Sequence, residues 1–248
     1  MKNIDINSDL GESFGAYTMG NDADVLRYVT SANIACGFHA SDPLTMQKAV
    51  RQAKEAGVKI GAHPGYPDLV GFGRREMKVS PAELKAMVIY QVGALQAVCK
   101  AEGTTLHHVK PHGAMYNMAA KDEKLADAIA EAVAAVDGSL VLVGLSGSCM
   151  KAAAEKHGLA FSAEVFADRA YEDDGSLVSR TKPGAMIEDE DLAIRRMLHL
   201  LETGTIESSN GKEIRLEADT ICVHGDSPKA VLFAKKLREA LDARIAAK

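Results

Sequence analysis

Four of the eight histidines stand in short polar clusters: Cys36-Gly37-Phe38-His39, Ala62-His63-Pro64-Gly65, Lys110-Pro111-His112-Gly113 and His224-Gly225-Asp226. Two acidic clusters, Asn7-Ser8-Asp9-Leu10-Gly11-Glu12 and Glu164-Val165-Phe166-Ala167-Asp168-Arg169, have a similar setting. Imidazole changes protonation near neutral pH, and Asp9, Glu12, Glu164 and Asp226 are able to orient an imidazole or to take a proton themselves. The set, with His39, His63, His112 and His224, therefore supports acid–base catalysis. Two histidines and one carboxylate around an open position also suit a divalent metal, with Asp9, His39 and His63 as candidate ligands. Residue types alone leave both uses open.

Anion handling is the second theme. Arg74, Arg75, Lys110, Arg169, Arg180 and Lys182 lie near these clusters, and a guanidinium meets a carboxylate or phosphoryl group with two parallel hydrogen bonds. Lys110, Arg169 and Arg180 are the candidates for substrate or phosphate binding. No Walker-type G-x-x-x-x-G-K-[ST] occurs, because Gly211-Lys212 is followed by Glu213. Nor is there a G-x-S-x-G nucleophile turn; Ser146 in Gly144-Leu145-Ser146-Gly147 lacks the flanking pattern. The remaining histidines have structural readings. His157 and His199 fall on helical stretches, and His107 and His108 must point to opposite faces of one strand. His108 and His112 have a metal-pair spacing, but Pro111 between them forbids the continuous helix that would align them.

Each cluster closes a β-rich run. Runs at residues 4–7, 32–35, 58–61, 106–109, 140–143, 160–163 and 220–223 predict seven strands. Amphipathic stretches separate them. Ser80-Pro81-Ala82-Glu83 has the N-cap, first-turn proline and N3 glutamate of a capping box, followed by Leu84, Met87, Val88, Val92 and Leu95 on one face. Asp42-Pro43 and Ser227-Pro228 open two more helices, and Asp122, Ser146 and Asp189 open weaker ones. Strand and helix in alternation predict parallel strands with right-handed crossovers. Helices return to strands through tight turns such as Ala56-Gly57 and Glu102-Gly103, whereas strands lead out through polar stretches at 8–21, 63–79 and 165–187. Loops this long are uncommon unless functional, and parallel α/β proteins carry them at the carboxyl ends of the strands. The expected fold is α/β: a single-domain (β/α) barrel of about seven parallel strands over residues 1–248, with an open doubly wound sheet as the alternative. Closure of the barrel would bring all the polar clusters to one end.

Composition narrows the functions. A chain of 248 residues that is 47% hydrophobic can bury a full core without disulfides. Its net charge of −5 lacks the basic footprint of nucleic-acid binding, and the absence of tryptophan leaves few platforms for stacking bases or sugars. Four scattered cysteines without a C-x-x-C pair read as reduced thiols. No basic-then-apolar leader and no apolar span of membrane length is visible, so a cytoplasmic location without membrane contact is expected.

Six ordered stretches together resemble the LamB/YcsF family: Asn7-Ser8-Asp9-Leu10-Gly11-Glu12, the run from Ser31 to Ala40, Gly61-Ala62-His63-Pro64, His108-Val109-Lys110-Pro111-His112-Gly113, the run from Glu164 to Arg169, and Cys222-Val223-His224-Gly225-Asp226. They extend from the first strand to the last. One departure is Ser41, where the family commonly has glycine. The resemblance implies a seven-stranded barrel similar to the glycoside hydrolase/deacetylase group. It also implies ATP-dependent 5-oxoprolinase chemistry, the opening of 5-oxo-L-proline to L-glutamate, with ATP and its Mg2+ as co-substrate and with subunits B and C as partners. A metal-dependent deacetylase is the competing enzyme reading, although the paired aspartates and H-[ST]-x-x-x-H pattern of that group are missing. A lactam-binding scaffold without catalysis ranks third.

Overall fold

A computed structural model describes residues 4–223 and 230–246. In chain order the elements are β1 (Asp5–Leu10), α1 (Asp22–Val25), β2 (Ser31–Ala35), α2 (Pro43–Ala56), β3 (Lys59–His63), α3 (Pro81–Ala101), β4 (Leu106–Val109), α4 (Gly113–Ala119), α5 (Glu123–Val136), β5 (Val141–Leu145), α6 (Cys149–Lys156), β6 (Ala160–Phe166), α7 (Glu190–Thr203), β7 (Thr205–Glu207), β8 (Glu213–Arg215), β9 (Thr220–Cys222) and α8 (Ala230–Ala246). Strands β1 to β6 and β9 pair in parallel and close into a barrel, with β9 joining β6 to β1. The open sheet is thereby excluded. All seven expected strands are present. Four run further than their β-rich residues predict: β1 reaches Leu10, β3 His63, β5 Leu145 and β6 Phe166, so Asp9, His63 and Glu164 are held by strand pairing rather than by loops.

The helices begin where local chemistry satisfies their free N–H groups. Ser80 and Glu83 form the expected reciprocal capping box on α3, and the Asp42 carboxylate accepts from Leu44 and Thr45 at the start of α2. One boundary differs. The helix expected at Ser146 starts at Cys149, because Ser148 N–H first closes a turn onto the Leu145 carbonyl and the Ser148 hydroxyl then caps Met150. The antiparallel hairpin β7–β8 is not predicted by the sequence. Its strands have three residues each, too short for alternation to show, and they bury only Ile206 and Ile214. The Ser227-Pro228 helix start lies outside the described residues.

Two interiors result from the strand period. Outward residues such as Ile6, Leu10, Ile34 and Ile60 belong with Leu84, Val88, Val92 and Leu95 of α3 to one apolar core between strands and helices. Each such buried aliphatic side chain contributes roughly 1.5–3 kcal/mol. The lumen is polar instead. Asp5, Asn7 and Asp9 alternate along β1 onto the inner face, where Asn7 Nδ2 donates to Thr220 Oγ1 at 2.7 Å and Asn33 Nδ2 donates to Asn7 Oδ1 at 2.8 Å. His108 Nε2 donates to Asn33 Oδ1 at 2.8 Å. A Cβ at Gly61 would fall on the His108 ring, so the glycine in β3 makes room for this histidine.

Candidate active site

A cavity of about 480 Å³ opens at the carboxyl ends of the strands. Asp9, Glu12, His63, Lys110, His112 and Tyr116 line its deeper part, and the exposed cations Arg74, Lys121 and Arg180 line its outer part. The long loops predicted from the connection lengths build its walls.

Lys110 organises the floor. It follows the last residue of β4, and its N–H donates to the Ala62 carbonyl at 2.9 Å, so the β3–β4 register sets its direction. Its ammonium crosses the lumen to Asp9 Oδ1 at 3.0 Å, Glu164 Oε1 at 2.8 Å, Asn7 Oδ1 at 3.2 Å and Cys222 Sγ at 3.2 Å. Burial opposes a charge on Lys110, but the carboxylates of Asp9 and Glu164 outweigh it and hold the ammonium well above its ordinary pKa. Glu164 is fully enclosed beneath this group, and the Tyr116 hydroxyl donates to its Oε2 at 2.7 Å. Burial, followed by that neighbouring carboxylate, pushes the Tyr116 phenol well up, and burial pushes the Cys222 thiol well up. Both stay protonated. Glu164 therefore positions Lys110 rather than facing the cavity.

Beside Lys110, three imidazoles meet Glu12. The rings of His39 and His112 stack with centroids 3.7 Å apart, and His63 stands edge-on to both. His63 Nδ1 donates to the Lys110 carbonyl at 2.7 Å, and His112 Nε2 donates to the Phe72 carbonyl at 2.8 Å. Glu12 Oε1 is 3.5 Å from His39 Nε2 and 3.8 Å from His112 Nδ1. Burial first, and the adjacent imidazoles second, hold His39 and His112 well below the ordinary histidine pKa. They are neutral at pH 7. The wall behind them is tightly fitted: Phe72 adopts φ 53°, unusual for a bulky residue, and a Cβ at Gly73 would come within 2.7 Å of His39 Cβ.

The structure thus brings Asp9, Glu12, His39, His63, Lys110, His112 and Glu164 together. Glu12, and not Asp9 alone, is the carboxylate that reaches all the imidazoles; Asp9 Oδ1 already accepts from Lys110 and from Asn33 at 2.9 Å, while its Oδ2 lies 3.3 Å from His63 Nε2. Arg169 lines the cavity, but its guanidinium donates to the carbonyls of Ala185 at 3.3 Å and Val178 at 2.6 Å, and burial lowers it to about 10. It clamps the loop after β6. Arg180 remains on the cavity wall. Two other cations of the sequence set are tied to neighbours, Arg75 to Asp68 and Lys182 to Glu172. His224 and Asp226 lie outside the described residues. Asn7, Asn33 and Tyr116 are site residues that the sequence motifs do not single out, although an asparagine inside each of two otherwise buried strands is a readable sign of a polar lumen.

Comparison with known proteins places this geometry. The sequence pattern of the LamB/YcsF family matches residues 4–247. A protein of Clostridium beijerinckii, named as the A component of 5-oxoprolinase, is 57% identical over 242 residues, covering 98% of this chain and 95% of its own. Its namesake from Bacillus subtilis is 55% identical over 243 residues, again 98% and 95%. The crystal structure of a lactam utilization protein from Thermus thermophilus superposes with a TM-score of 0.92 at 50% identity, covering 98% of this chain and 97% of that one. A cellobiose-phosphate cleavage protein candidate from Enterococcus faecalis, at 15% identity and a TM-score of 0.58 and covering 98% of this chain and 95% of that one, shares the fold alone. With the described motif residues converging on one barrel end and a match over nearly its whole length, this chain belongs to the LamB/YcsF family.

Proposed function

We propose that this chain is the lactam-opening component of an ATP-dependent 5-oxoprolinase, converting 5-oxo-L-proline to L-glutamate in a complex with subunits B and C. The observation that carries the reading is Lys110: an ammonium held between Asp9 and Glu164 at the floor of a cavity whose outer wall carries arginines. This arrangement suits a small anionic lactam, and the names of the relatives agree with it.

The amide of a five-membered lactam is a poor electrophile. Transfer of the γ-phosphoryl group of ATP to the lactam oxygen yields ADP and an activated imidate. Water then adds to the ring carbon, the ring C–N bond breaks as nitrogen takes a proton, and the acyl phosphate formed is hydrolysed by a second water to glutamate and phosphate. Asp9, on the cavity wall, takes the proton from water, and the Lys110 ammonium stabilises the negative charge that develops on the substrate oxygens. Arg180 receives the substrate carboxylate. Asp9 then passes the proton taken from water to the leaving nitrogen. The chain has no Walker sequence, and a floor of carboxylates disfavours a triphosphate, so ATP with its Mg2+ is assigned to the partner subunits.

The test combines this chain with its candidate partners, 5-oxoproline and MgATP, and measures glutamate and phosphate. Glutamate formation that requires this chain and is lost in Asp9→Asn or Lys110→Met supports the proposal. No glutamate with any partner combination, or release of acetate from an acetylated sugar without ATP, would replace it with the deacetylase reading.

A further inference from the structure

The hydrogen bonds around the imidazole cluster settle which ring nitrogens carry protons. A backbone carbonyl only accepts, so His63 must hold its proton on Nδ1, toward Lys110, and His112 must hold its proton on Nε2, toward Phe72. In the neutral rings, His63 Nε2 and His112 Nδ1 are then bare lone pairs, yet they face each other at 2.9 Å. Asp9 Oδ2, another acceptor, is 3.3 Å from the same His63 nitrogen. His39 adds a third ring: its side chain is fully buried, and neither of its nitrogens has a hydrogen-bond partner among the described residues. A buried imidazole with both nitrogens unmatched costs roughly 1–3 kcal/mol per unsatisfied group. Something positive must lie among these lone pairs. One proton would serve only the His63–His112 pair and leave His39 unmatched.

We propose that Glu12, His39, His63 and His112 bind one divalent transition-metal ion of the zinc class. One ligand atom from each of the four lies within 4.8 Å of all the others. Atoms bound at about 2.0–2.1 Å around one ion stand about 3–4 Å apart, so small side-chain shifts suffice. Three imidazoles and one carboxylate select zinc, cobalt, nickel or iron over magnesium or calcium, which prefer oxygen. The carbonyls of Lys110 and Phe72 supply the outer hydrogen bonds that orient metal-binding histidines. Glu12, His63 and His112 also line the cavity, so an ion here would be open to a water or substrate oxygen. The ligand set differs from an Asp9–His39–His63 triad by replacing Asp9 with Glu12 and adding His112.

The site is tested on the chain alone, independently of lactam turnover. Metal-stripped protein is titrated with Zn2+ by calorimetry, and Co2+ is followed by its visible absorption. About one equivalent is expected, with Co2+ bands of a low-coordinate nitrogen–oxygen site and a higher Tm in the presence of Zn2+. His39→Ala and Glu12→Gln, checked for folding by circular dichroism, should bind at least about tenfold more weakly. His199→Ala, on an exposed surface, should bind as the parent does. Absence of stoichiometric binding by the parent chain, equal binding by folded His39→Ala and Glu12→Gln, or ¹⁵N spectra of the zinc-saturated protein that show an imidazolium at His63 or His112 would overturn the proposal.

Discussion

Lys110 and Glu164 form an ion pair shut off from solvent: Nζ stands 2.8 Å from Oε1, and the two side chains are 3% and 0% exposed. Three strands from different parts of the chain meet in this contact, since Asp9 of β1 shares the same ammonium. The pair links stability to function, because the group that shapes the floor of the cavity is also the most exacting charge in the lumen.

Glu164→Gln should lower stability by about 3 kcal/mol at pH 7, because it leaves Lys110 buried with one carboxylate fewer. The sign of its pH effect follows from the raised pKa of Lys110. Stabilisation from a raised lysine is complete below its unfolded value of about 10.4 and is lost as pH rises through the folded value. Removing Glu164 lowers the folded value, so the alkaline fall in urea midpoints, which starts near the unfolded value in both proteins, should end at a lower pH and be smaller in total than in the parent. An unchanged alkaline limb would show that Asp9 alone sustains the charge.

Acid should destabilise the protein well before its carboxylates titrate. Burial first, then the neighbouring His107, depress His108 to about 3. An unfolded chain takes up this proton near pH 6.5, so the folded state loses about 1.4 kcal/mol per pH unit for this residue as pH falls below that value. His108→Gln retains a donor toward Asn33 and should flatten the slope by one proton between pH 6 and about 4. Urea unfolding at several pH values measures it.

Arg180 and Arg169 should separate binding from architecture. In the proposed reaction Arg180→Ala raises KM for 5-oxoproline about tenfold or more with kcat little changed, since it removes uniform binding. Arg169→Lys instead loses the donors to Val178 and Ala185 and should lower Tm. A Tm loss in Arg180→Ala of the same size would place both arginines in the loop clamp.

Ser41 occupies φ 74° in the left-handed region, which favours glycine. An L-residue there costs roughly 1–2 kcal/mol relative to glycine. Ser41→Gly should therefore raise stability by up to about 1 kcal/mol after the loss of unfolded-state order is counted. Thermal unfolding of the variant decides the sign.

Gly61 and Gly93 should respond oppositely to alanine. A methyl at Gly61 meets the His108 ring, whereas at Gly93 in α3 nothing lies within 4 Å. Gly61→Ala should cost about 1–3 kcal/mol or more from overpacking. Gly93→Ala should stabilise by about 0.5–1 kcal/mol through helix propensity. Denaturant midpoints of the two variants test both.

Much of the fold was legible in local signals. Seven β-rich runs, the capping box at Ser80 and the inequality between tight and long connections depend on residues close in sequence, and they correctly predicted a closed parallel barrel, with the described polar clusters gathered around a cavity at one end. The motif order likewise carried the family. Tertiary structure alone decided the rest. Whether Asp9 or Glu12 meets the imidazoles depends on how far β1 extends and on which acceptor Lys110 claims after crossing the lumen. Glu164 became a buried partner of that ammonium, and Arg169 became a loop clamp, through contacts with segments remote in sequence. The facing lone pairs of His63 and His112 follow from two backbone carbonyls, at Lys110 and Phe72, whose directions no residue type encodes. Spacing and composition select which side chains arrive at the barrel end; strand register and carbonyl orientation determine where their protons and charges reside.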